Sequence, residues 1–141
     1  MNSMNVLSTP ENVLTTASYF FAIADALHKR LNSTATRTLF SATSTDLYAM
    51  LLEEYGLRAR AAILRNNPTQ HTVSNSRVTS ERLFRCLQAV SDQVISIPSV
   101  TQLQSIVSGV NTLCVSISPG KAHVIDFLIE NLENDLNLMT R

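Results

Sequence analysis

Three glycines, at positions 56, 109 and 120, and four prolines have to serve every turn in a chain of 141 residues. Hairpins and left-handed backbone lean on glycine, so a fold of many short strands lacks its turn residues here. Long helices joined by few connections are what such a chain can build. Its residues are 45% hydrophobic and 16% charged, the balance of a globular rather than a disordered sequence. The length suffices to bury roughly two-thirds of the unfolded surface without disulfide or metal staples. The expected fold is mainly α, a single domain over residues 1–141 with four to five amphipathic helices and a flexible start at 1–8. One short β-hairpin near 112–128 is a variant of that fold, and α+β is the alternative.

Apolar spacing places the elements. Val13, Leu14, Ala17, Phe20, Phe21, Ala24, Leu27 and Leu31 recur at three, four and seven and predict a helix over 10–31. Ser8 and Thr9 offer the capping hydroxyl, Pro10 suits the first turn, and His28, Lys29 and Arg30 suit the negative end of the helix dipole. Residues 32–45 are rich in Ser and Thr and read as a loop or short helix that packs through Leu39 and Phe40. A second helix, 46–55, carries Leu47, Met50, Leu51 and Tyr55, with Gly56 placed as its left-handed stop. Residues 57–65 read equally as a strand or as further helix, and 68–78 as a polar loop or second strand.

A third helix is expected over 79–95, through Leu83, Phe84, Leu87, Val90 and Val94. A fourth follows Pro98, over 99–110, through Val100, Leu103, Ile106, Val107 and Val110. Leu113, Val115 and Ile117 then alternate, which predicts a strand over 112–117. Ser118-Pro119-Gly120-Lys121 fits either a type II turn or a helix start. Val124, Leu128, Leu132 and Leu136 favour a last helix over 124–138, the runner-up being a strand over 121–128 followed by a shorter helix.

The 11 basic and 11 acidic residues cancel, yet they are not mixed. Arg58, Arg60, Arg65, Arg77, Arg82 and Arg85 share their stretch with a single acid, Glu81, whereas Asp126, Glu130, Glu133 and Asp135 share theirs with no base. Arginine forms fixed, two-pronged contacts with carboxylates and phosphates. These ten residues are therefore the candidate interaction residues: a basic middle that meets an acidic partner or the acidic end of a second copy. The plainer reading is a solvated surface of internal pairs, each worth little. A protein partner or homo-oligomer is favoured. Nucleic acid is not, because the arginines lack interleaved aromatic residues and the net charge is zero.

Catalytic, metal and cofactor sites have little to stand on. His28, His71 and His123 match no metal-ligand spacing with the two cysteines. His28 has a use in its helix's last turn, His123 falls in an apolar segment that suits a core histidine, and His71 is the openly available one. Cys86 and Cys114 lack a C-x-x-C spacing and are expected to be reduced, buried thiols, with a disulfide between them as the alternative. Three scattered glycines build no phosphate-cradling loop. No run approaches the roughly 18 apolar residues of a membrane span. Met1–Pro10 also lacks the basic and apolar regions of a secretory signal. The expected location is cytoplasmic or otherwise intracellular, including a host cell for a viral or secreted effector.

Two resemblances bear on function. Leu51-Leu52-Glu53-Glu54-Tyr55-Gly56-Leu57-Arg58-Ala59-Arg60 resembles the helix-then-strand step of transglutaminase-like and other papain-fold enzymes. In that family a cysteine starts the helix, but positions 41–46 here are Ser-Ala-Thr-Ser-Thr-Asp. With His71 as the match to the family's histidine, the resemblance implies an inactive or divergent relative. In size, helicity, Ser/Thr/Asn content and scarcity of lysine, with Ala26-Leu27, Arg37-Thr38 and Asn67-Pro68-Thr69, the chain is similar to rod-shaped plant-virus coat proteins. The aromatic C-terminal motif of that family is missing. That similarity implies RNA packaging. The expected function is a non-enzymatic protein–protein interaction or assembly module, self-associating through the basic (58–85) and acidic (126–135) surfaces.

Overall fold

Thr9 accepts a hydrogen bond from the Asn12 amide at 3.1 Å and Pro10 occupies the first turn, which starts α1, Pro10–Leu31, in the computed structural model. The structure describes residues 7–33, Thr36 and 44–139. After α1 come α2 (Ser44–Asn66), a 3-10 turn (Pro68–His71), α3 (Ser80–Val94), α4 (Val100–Ser116) and α5 (Ala122–Met139). Thr79 caps α3 through the Arg82 amide at 3.1 Å, and Ser99 caps α4 through the Gln102 amide at 3.2 Å. The fold is mainly α, and among the described residues there is no β-strand.

Several local expectations are corrected. Gly56 does not stop a helix: α2 runs through it, because Met50, Leu57, Ala61 and Leu64 form one buried stripe on both sides of it. The stretch 57–65 is therefore helix. Residues 112–116 complete α4 instead of forming a strand. Leu113, Cys114 and Ile117 are buried at helical spacing from Ile106, Val107 and Val110, while Val115, the middle of the apparent alternation, is exposed. Residues 122–128 are the start of α5, so neither half of the hairpin near 112–128 exists. Residues 68–78 hold the 3-10 turn and irregular chain. Between α4 and α5, Gly120 has φ +83° and the Lys121 amide donates to Ser118 O at 3.3 Å, the geometry of the type II turn. The expected packing through Leu39 and Phe40 lies outside the described residues. Within 1–8, Leu7 is fully buried and its carbonyl accepts from the Val73 amide at 2.8 Å.

The helices close a ring. Helix α1 packs between α2 and α3, α2 leans on α4, α4 pairs with α5 across the type II turn, and α5 returns to α3. One apolar cluster fills the middle, with Phe20, Leu27, Leu57, Leu83, Leu87, Leu103 and Ile106 among its fully covered members. Among the described residues no helix is long and apolar enough to cross a membrane.

Candidate functional site

The ten charged candidates go separate ways. Arg82 reaches the acidic helix: its Nε donates to Glu133 Oε2 at 2.9 Å and its Nη2 to Oε1 at 2.6 Å, a two-pronged pair between α3 and α5. The hydrogen bond to Glu133 outweighs burial and raises the Arg82 pKa. Asp126 turns inward to the loop before α3, where it accepts from the Ser76 hydroxyl, from the Arg77 amide at 2.8 Å and from the Val78 amide at 3.3 Å. Asp135 accepts from Ser105 at 3.2 Å, which ties α5 to α4. These three acids hold the chain's own elements together.

The basic side is similarly divided. Arg58 meets α1 and its own helix rather than the acidic stretch: Nη1 donates to Asp25 at 2.8 Å and Nε to Glu54 at 3.0 Å. Burial lowers the Arg58 pKa, but the hydrogen bonds to Asp25 and Glu54 prevail and leave it raised. Glu54 is itself buried and lies 3.2 Å from His28 Nδ1. Arg65 lies over the Phe21 ring, 4.7 Å from its centre. Arg60 is near α4, its Nη2 3.5 Å from Val115 O. Arg77, Arg85 and Glu130 are exposed. The expected pair of opposed patches is thus a set of internal contacts plus these three.

Arg30, expected at the end of its own helix, does its work elsewhere. It is 9% exposed, and its Nη1 donates to the carbonyls of Val94 at 3.0 Å and Ile95 at 3.1 Å, while Nε donates to Thr36 at 2.8 Å. The cation therefore sits on the negative end of α3. Burial lowers its pKa.

The nucleophile and metal candidates separate by burial. Cys86 and Cys114 are free and buried. Burial is the main cause that pushes each thiol up to about 12; Glu133 adds to it at Cys86, with Arg82 opposing, and Arg60 opposes it at Cys114. Thiols so placed are poor nucleophiles at neutral pH. His123 is exposed rather than a core histidine, because the first turn of α5 points it outward. The Nδ1 of His71 lies 2.8 Å from Asn67 O. Among the described residues no three His, Cys, Asp or Glu side chains are placed to share a metal ion.

The feature that sequence reading missed is the outer face of α2. Tyr48 is 69% exposed, Leu52 69% and Tyr55 76%. Ala49, Ala59 and Ile63 are also exposed, and a Cβ added at Gly56 would meet nothing within 4 Å. Positions 48, 52, 55, 59 and 63 step by four and three, so they form one stripe opposite the buried stripe of Met50, Leu57, Ala61 and Leu64. No charge interrupts it. The charges sit on its flanks: Glu53 and Arg60 toward α4, where Asn111 Nδ2 donates to Glu53 Oε1 at 2.9 Å, and Arg58 toward α1. The signal lay in the sequence as two interleaved apolar stripes in 47–64, which a search for one stripe per helix merges.

Compared with protein-family models, curated proteins and solved structures, the chain matches none. The helix-then-strand step behind the papain-fold resemblance is absent, since 44–66 is one helix.

Proposed function

We propose that this protein is a non-enzymatic assembly module that associates with further copies of itself through protein–protein contact. The observation that carries this reading is the uncharged outer face of α2. Solvated helices in a small domain keep charged side chains outward, and an exposed, contiguous apolar stripe of aromatic and aliphatic residues marks a contact surface. Tyrosine in particular is enriched where interfaces bind, because it brings a large rigid surface and a polar tip. The charged residues give this reading a second, weaker element. With Arg82, Asp126 and Asp135 engaged inside the chain, contacts between basic and acidic surfaces of different copies fall to Arg77, Arg85 and Glu130.

Sedimentation equilibrium over a concentration series tests the reading directly. The full chain is expected to move from monomer toward a larger species as concentration rises. Leu52→Glu, at the centre of the stripe on a side chain the fold does not bury, should weaken that association at least about tenfold without loss of helicity. A chain that stays monomeric at the highest concentration reached rules the reading out.

A further inference from the structure

Resting on that reading, we infer that two copies pair through α2 in an antiparallel, twofold-symmetric arrangement that crosses at Gly56. Glu53 and Arg60 are seven residues apart, two helical turns, and both lie on the flank of the stripe that faces α4. Reversing one helix against another about a point beside Gly56 brings Glu53 of each copy opposite Arg60 of the other. In an antiparallel pair each flank meets its own counterpart, so the two ion pairs form on one edge by the same operation. A parallel pair would turn the flank of Glu53 and Arg60 toward the one that carries Arg58, and neither Glu53–Arg60 pair would form.

The sizes along the stripe agree with this register. The reversal sets Tyr48 beside Ile63 of the second copy and Tyr55 beside its Ala59, a large residue against a smaller one in each case. At the centre Gly56 has no neighbour within 4 Å of a would-be Cβ, so two backbones can approach there. A tyrosine ring covers on the order of 150–250 Å² when buried, which puts the whole stripe near 500 Å² per copy. About 1,000 Å² in total is the lower edge of specific interfaces, so the dimer is expected to be reversible with a micromolar dissociation constant.

Charge reversal tests the register apart from the assembly. Dissociation constants of the full chain are measured by sedimentation equilibrium, with circular dichroism as the check on folding. Glu53→Arg and Arg60→Glu are each expected to weaken the dimer about tenfold, and the double reversal to return it to within about threefold of the original. Gly56→Leu, which the open surface of the monomer accommodates, should weaken it more than either. Tighter binding by Gly56→Leu, or a double reversal no better than its singles, overturns this register. If Leu52→Glu nevertheless monomerises the chain, self-association survives in another geometry. If the unaltered chain is monomeric throughout, or only an added partner protein brings the face into contact, both fall.

Discussion

At the residue scale, buried polar groups here act between helices more than within them. Arg30 links α1 to the carbonyl end of α3 through two hydrogen bonds and holds Thr36 through a third. Replacing it by an apolar residue of similar length keeps the volume but leaves the Val94 and Ile95 carbonyls without this donor and the Thr36 hydroxyl with Ser33 alone. Arg30→Met is therefore expected to cost about 2–4 kcal/mol of stability in urea unfolding, since orphaned buried groups carry most of such losses. The two cysteines make a pH prediction. Their folded-state pKa of about 12 lies above the ordinary thiol value. The unfolded chain therefore releases these protons first on raising pH. Their contribution to stability is whole below the unfolded value of about 8.5 and is lost progressively as pH rises toward 12. Urea midpoints measured from neutral to alkaline pH should fall across that window, and the fall should be shallower in a Cys86→Ala, Cys114→Ala variant.

At the element scale, the two glycines that punctuate α2 and the α4–α5 turn have opposite consequences. Gly56 lies inside a helix with open space where a Cβ would project. Gly56→Ala should thus stabilise the monomer by about 1 kcal/mol, the helix propensity difference. Gly120 has a positive φ, so Gly120→Ala should destabilise it by about 1 kcal/mol or more. Thermal unfolding of the pair, expected to shift in opposite directions, checks both. These glycines also show what sequence reading could and could not see. Helix α1 was legible because one apolar stripe, a hydroxyl cap and a cationic last turn agreed, and α3 because one apolar stripe ended shortly before Pro98. The turn at Gly120 was legible as one of two readings. Gly56 misled because a helix stop and a solvent-open interior position look alike until the buried stripe on both sides is known. Residues 112–117 misled because Leu113, Val115 and Ile117 satisfy period 2, while the three positions the fold buries, 113, 114 and 117, satisfy the helix. Charge was the least legible. Opposite charges in separate stretches gave no sign that Arg58 would turn to Asp25, or Asp126 to backbone amides, since such pairings depend on how the elements meet.

At the scale of the whole molecule, the ring of contacts from α1 through α2, α4, α5 and α3 back to α1 gives each helix two main helical neighbours among the described residues. Removing any one helix opens the shared core from both sides, so the elements depend on one another rather than forming separable halves. The same ring leaves α2 with α1 on one side and α4 on the other, and its outward stripe is what remains. That stripe carries two of the chain's three tyrosines, Tyr48 and Tyr55; the third, Tyr19, stacks on Phe84 with ring centres 5.3 Å apart, and there is no tryptophan. The ultraviolet emission of this protein therefore comes mainly from that outward stripe. Without a label, any event that dries or wets that surface is written into the molecule's own light.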